Sequence, residues 1–302
     1  MAIPQSAKDI IQSIIRWADV HESIRATLLT STRAIPGAEV DALSDFDVIL
    51  VVRDIFPFVI DHSWLNEFGN VLVAYWDEIH PDPFFGINIC ANVIQYSNGL
   101  KIDFTLWPVP LLKQVAIMPI LPAELDAGYL VLGDKDRLTH GMRLPTGKAY
   151  IPDLPSLKTY RNWINDFLSD APYVAKCLWR NELIPAKWCL DYDMKHVYLR
   201  RVLEWRVEID QDWSLPVGSL GKGLKKQLPA DIWLALEQTY VGSSMEANWK
   251  ALRLTMELFR RISIEVGIAL GYAYPEDLHQ KVNAYIDLIM ELKFIGSNVL
   301  PG

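Results

Sequence analysis

A chain of 302 residues, 51% of them hydrophobic and 11 of them tryptophan, is long enough for two domains with cores of their own and excludes a disordered polypeptide. The net charge of −8 speaks against a nucleic-acid backbone as partner, because that binding is carried by lysine and arginine, and it suits a cationic small substrate. Cys90, Cys177 and Cys189 lie scattered in apolar contexts with no Cys-x-x-Cys pair, so neither a zinc site nor a disulfide framework is expected.

At the N-terminus no basic stretch leads into an apolar block, and no segment reaches the length of a membrane span, so a cytoplasmic protein without membrane contact is expected. Ser6-Ala7-Lys8-Asp9 has the form of a capping box, and Ile10, Ile11, Ile14, Ile15 and Ala18 follow at helical spacing, which predicts an opening helix to about Asp19. Strand-like runs come next at 25–29, 46–52, 71–75, 89–96 and 101–106, joined by short turn-rich segments. The region 118–155 is dense in Pro and Gly and holds one apolar run, 129–132, read as the last strand of a first domain (1–150), with 145–155 as linker. Beyond Ser156 the pattern is helical almost throughout: Tyr160 to Phe167, Val174 to Trp179, Leu190 to Trp205, then a long helix from Ser244 that stops at Gly271. A second, all-helical domain over 151–302 is the consequence.

The chemistry concentrates in the first domain. Ser44-Asp45-Phe46-Asp47 runs into the apolar strand Val48 to Val52, and side chains two apart on a strand leave on one face, so Asp45 and Asp47 point into one volume. Two like charges held that close call for a hard cation. A lone Asp-x-Asp pair is common where a strand begins; here a polar turn, Thr30-Ser31-Thr32-Arg33, follows the first strand, and a third carboxylate, Asp103, sits in the run Lys101-Ile102-Asp103-Phe104. Strand, hydroxyl turn, Asp-x-Asp strand and a lone Asp on a neighbouring strand is the order a metal-dependent nucleotidyltransferase needs. The six histidines show no metal-ligand spacing, and Trp107, Trp179 and Trp188 are read as core before cleft.

Beyond these residues, the stretch Tyr173-Val174-Ala175-Lys176-Cys177-Leu178-Trp179-Arg180 with Ala186-Lys187-Trp188 and Asp191, the turn Gly221-Lys222-Gly223-Leu224-Lys225, and Leu270-Gly271-Tyr272-Ala273-Tyr274-Pro275 make the chain resemble the bacterial aminoglycoside 6-adenylyltransferases, of the polymerase-beta-like nucleotidyltransferase superfamily. The resemblance implies an α+β protein: a nucleotidyltransferase domain with a mixed sheet flanked by helices, then a helical domain that contacts nucleotide and substrate. It implies transfer of AMP from ATP to a hydroxyl of an aminoglycoside, streptomycin-like, with Mg²⁺ held by Asp45, Asp47 and Asp103. Asp103 is then base, metal ligand or both. Ser31, Thr32 and Arg33, with Lys187, Lys222 and Lys225, are expected at the triphosphate, and Asp191 and Glu182 at the cationic drug. For each of the latter lysines and acids the plainer alternative is a solvated helix surface. A monomer is expected. Ser31-Thr32 stands where the superfamily usually has Gly-Ser, and glycine there would permit positive φ. Two alternatives stay open: nucleotidylation of another hydroxylated small molecule such as a lincosamide, and a catalytically silent nucleotide-binding module.

Overall fold

The computed structural model describes residues 6–292. The chain divides between Ala149 and Tyr150 into two compact units; residues 1–5 and 293–302 lie outside the described residues.

The first unit opens with the helix Ala7–Val20, whose N-cap Ser6 accepts from the Asp9 N–H, as the capping-box pattern requires. Seven strands follow: β1 (Ile24–Thr30), β2 (Phe46–Val52), β3 (Val71–Trp76), β4 (His80–Pro81), β5 (Asn88–Tyr96), β6 (Lys101–Pro108) and β7 (Tyr129–Asp134). The sheet order is β3-β5-β6-β2-β1-β7, with β4 paired to β5. Among the described strands only β2 and β6 run parallel; the other pairs are antiparallel, so the sheet is mixed.

Period-two alternation sorts the side chains of β2 and β6 onto two faces. Phe46, Val48, Leu50 and Val52 with Ile102, Phe104 and Leu106 pack in a core with Ile10, Ile14 and Trp17 of the opening helix. Ile49, Val51 and Trp107 face the other way, into a second core with Leu111, Leu112 and Val115 of the helix Val109–Ala116. A sheet covered on both faces explains why β2 reads as a nearly unbroken apolar run.

The second unit is helical among its described residues. Its main elements are Leu157–Trp179, Trp188–Leu199, Arg200–Asp210, Met245–Leu270 and Glu276–Glu291. They share one core in which Phe167 stacks on Phe259, ring centroids 3.6 Å apart. The helix Met245–Leu270 begins at the cap Ser244 and ends at Gly271 with φ 74°, the left-handed stop its sequence predicts. Trp188–Leu199 is a π-helix, which the apolar spacing alone does not distinguish from an α-helix.

Candidate active site

The site is built where β1, β2 and β6 run side by side. β2 and β6 are parallel with Asp47 registered against Asp103, and β1 pairs with β2 so that Thr30 faces Asp47. The turn leaving β1 therefore starts beside Asp47. That turn, Ser31–Arg33, is a single 3₁₀ turn, and Ser31 adopts φ 59°. The serine at the superfamily's glycine position thus keeps the left-handed conformation that glycine favours, at a cost of roughly 1–2 kcal/mol. Its hydroxyl donates to the Asp47 carboxylate. Gly128, just before β7, backs the same turn: a Cβ there would meet the Ala34 carbonyl oxygen at 2.7 Å.

The loop into β2 is fixed by its own side chains. Asp41 accepts from the Leu43 N–H at 2.8 Å and from the Ser44 hydroxyl at 3.0 Å, while Ser44 Oγ accepts from the Asp41 N–H at 2.9 Å. Arg33 fastens the end of that loop: Nε donates to the Asp45 carbonyl at 2.9 Å, Nη2 to the Ser44 carbonyl at 2.6 Å, and the guanidinium stands 3.9 Å over the Phe46 ring. Arg33, expected at the phosphates, is thus bound to the backbone that presents Asp45.

Lys101 is the residue the sequence reading left without a role. Its ammonium lies 2.5 Å from Asp45 Oδ2 and 2.8 Å from Asp103 Oδ2. The signal was available, because Lys101 precedes Asp103 by two on β6, as Asp45 precedes Asp47, and period two puts all four on one face. Burial of the Lys101 ammonium lowers its pKa, but the bonds to Asp103 and Asp45 outweigh this and hold it above its ordinary value. Burial raises the Asp47 pKa, and the neighbouring Asp103 and Asp45 charges add to the rise against the Ser31 bond. Burial likewise raises Asp103, against the pull of Lys101. Asp103 Oδ1 is buried with no hydrogen-bond partner. A cation already drawn between two of the carboxylates, a repelled third one and an orphaned carboxylate oxygen together fit a site that accepts a divalent metal. Beside Asp45 and Lys101 opens a hollow of about 640 Å³, which Arg33, Ser44 and Gln95 also line.

The remaining expected site residues lie in the second unit. Asp191 is committed: Lys187 approaches it to 2.6 Å and the fully buried Lys195 to 2.7 Å. Lys187 also donates to the Val241 carbonyl at 2.8 Å, and Lys195 to the Thr239 carbonyl at 2.5 Å. Asp191 and Lys187, both partly exposed, thus take part in an ion-pair network within the helical unit. Glu182 is exposed ahead of the short helix Leu183–Lys187. Lys222 is exposed, and Lys225 stands 3.6 Å from Glu237 with its ammonium over Trp233. Trp107 is core, whereas Trp188 is 65% exposed against Tyr192. Among the described residues, one trio of His, Cys, Asp or Glu has its ligand atoms within 4.8 Å of one another: Asp170, Cys189 and Asp193. Burial and the Asp170 and Asp193 charges push the Cys189 thiol far up.

Paired aspartates at the start of β2, a third on the parallel neighbour and a hydroxyl turn against them define a nucleotidyltransferase. The chain belongs to the streptomycin adenylyltransferase family, which matches residues 5–289, and it is accordingly an adenylyltransferase. Similar proteins include the aminoglycoside 6-adenylyltransferases of Campylobacter jejuni, 27% identical over 93% of this chain and 95% of the relative, and of Staphylococcus aureus, 24% identical over 90% and 94%. A crystal structure of an aminoglycoside 6-adenyltransferase from Bacillus subtilis aligns over 97% of this chain and 100% of that one, with 23% identity and a TM-score of 0.44.

Proposed function

We infer that this protein transfers AMP from Mg-ATP to a hydroxyl of an aminoglycoside, of the streptomycin kind, releasing pyrophosphate and inactivating the drug. The observation that carries the reading is the register of Asp47 against Asp103 with Asp45 beside them, in a chain whose relatives bear the name aminoglycoside 6-adenylyltransferase. Asp45, Asp47 and Asp103 would hold Mg²⁺, which when bound neutralises phosphate charge and lowers the barrier to displacement at the α-phosphorus.

The chain's own groups divide the remaining work. The attacking hydroxyl oxygen forms the new bond to the α-phosphorus, the α–β bridging bond breaks, and pyrophosphate leaves. Asp103 would receive the hydroxyl proton on the part of its carboxylate that faces the site. A raised pKa makes Asp103 a better base than an exposed aspartate. Ser31 orients Asp47, and Thr32 in the same turn faces the nucleotide with it; Arg33 acts by holding Asp45 in place. Lys222, Lys225 and Glu182 are the exposed charges through which the helical unit would meet triphosphate and drug.

The test is incubation of the purified protein with Mg-ATP and a panel of aminoglycosides, reading pyrophosphate release. Release with at least one drug, lost in Asp45→Asn, is expected. Silence with every drug would overturn the reading.

A further inference from the structure

A second hollow, of about 270 Å³, lies in the first unit on the sheet face that carries Asp103. Asp103, Thr105 and Trp107 share that face by the period of two, so Thr105 lies about 7 Å along β6 from Asp103. Thr105 and Trp107 line the hollow, Phe84 and Leu111 wall it, and Asp82 and Glu124 stand at it. The lining is thus apolar and aromatic with two carboxylates and a hydroxyl.

The two acids at this hollow, Asp82 and Glu124, and the nearby Asp126 are not equivalent. Asp82 is 8% exposed, and its carboxylate accepts from the backbone N–H groups of Phe84 at 3.2 Å and Phe85 at 2.7 Å, which closes the loop 82–87. Asp126, at the end of the short helix Ala123–Asp126, accepts from the Thr146 N–H at 2.9 Å and hydroxyl at 2.7 Å. Both are occupied with the fold. Glu124 accepts no hydrogen bond and forms no ion pair among the described residues, although neighbouring protein desolvates its carboxyl and the Asp82 charge adds to that, raising its pKa. A carboxylate placed against a second one beside an aromatic wall, without a partner of its own, is complementary to a cation. The volume lies just under the range of whole small-molecule sites, so it suits one ring or one cationic substituent and not an entire drug.

We propose that this hollow is the acceptor pocket of the first unit, taking a guanidinium- or ammonium-bearing portion of the aminoglycoside with Glu124 as its counter-ion and Asp82 behind it. The assignment rests on the aminoglycoside reading above. A cationic group seated there leaves the neighbouring part of the drug alongside Asp103, where its hydroxyl gives up a proton. Selectivity between drugs then follows from which substituent reaches Glu124 from the reacting hydroxyl.

The pocket is testable apart from turnover, with benzamidinium as a rigid aromatic cation. Its titration into the whole protein should shift the Trp107 indole N–H signal in an NMR spectrum, and Glu124→Gln should weaken that binding at least fivefold. A drug that the enzyme adenylylates should displace benzamidinium, and in Glu124→Gln its KM should rise about tenfold while the KM for Mg-ATP holds. No benzamidinium shift, or an equal one in Glu124→Gln, overturns the pocket. A drug that is turned over without displacing benzamidinium overturns its role as acceptor site. If no drug in the panel is adenylylated, the functional reading fails, and with it the acceptor assignment, whereas the benzamidinium result still decides whether the hollow binds a cation.

Discussion

Ser31 shows how much of the site hangs on one backbone angle. At φ 59° any side chain is strained, and the hydroxyl offsets part of that by donating to Asp47. Ser31→Ala and Ser31→Gly both remove the hydroxyl, but only glycine relaxes the turn, so the glycine variant should be the more stable by about 1 kcal/mol. Equal urea midpoints for the two would refute the strain. Asp47 carries the opposite burden, since burial and the Asp103 and Asp45 charges all disfavour its ionised form. Asp47→Asn should therefore raise the melting temperature of the metal-free protein while lowering turnover by about 10³-fold or more, a loss of several kcal/mol of transition-state stabilisation. A variant less stable than wild type, or one that turns over normally at saturating Mg²⁺, would contradict the placement. At this scale the sequence was legible where residues lie two apart on one strand, as with Asp45 and Asp47. Lys101 obeyed the same rule and went unassigned, because a lysine two before an aspartate on a strand is as easily a solvated edge residue; only the register of β2 on β6 places it among the carboxylates.

Among the elements, the strands were readable because period two and turn residues mark them, and β2 matches its expected span residue for residue. The helices of the second unit were harder. Leu157–Trp179 runs unbroken through Pro172, where a sequence pattern suggests two pieces, since proline removes one backbone bond. Burial of Phe167, Ala171 and Val174 in the common core overrides that local preference. The π-helix Trp188–Leu199 is invisible to an apolar-spacing argument, and its register is what puts Lys195 wholly inside. Asp191, read from sequence as a drug contact, is the counter-ion of that lysine and of Lys187. Asp191→Asn removes the charge paired with the buried Lys195 ammonium, leaving it the Thr239 carbonyl, the Tyr240 ring and a neutral amide oxygen, and should cost about 2 kcal/mol in urea unfolding, discounted from the larger loss typical of fully buried pairs because Asp191 is partly exposed. Glu182→Gln, at an exposed position, should change stability by less than about 0.5 kcal/mol. If both substitutions were equally mild, Asp191 would be free for a ligand after all.

For the molecule as a whole, composition and pattern were enough to anticipate a sheet-containing part followed by a helical one, because the periodicity changes from two to helical near the middle of the chain. What they could not reach is how burial tunes its acids. Asp170, on the helix Leu157–Trp179, has its pKa raised from 3.8 to about 6, first by burial and then by the charges of Asp193 and Asp166. Below 3.8 the carboxyl is protonated whether the chain is folded or not, and it contributes nothing to pH dependence. As pH rises from there to about 6 the unfolded chain ionises while the folded one resists, so stability falls, and above that range the full penalty persists. Asp170→Asn removes the penalty and keeps the backbone carbonyl that the Cys189 thiol approaches at 4.0 Å. The variant should gain about 1 kcal/mol at pH 8, allowing for solvent screening, or about 2–4 °C in melting temperature. At pH 4.5 the gain should shrink to a fraction of that. Melting curves of both proteins at the two pH values provide the check, and a gain independent of pH would show that Asp170 acts through packing and not through its charge.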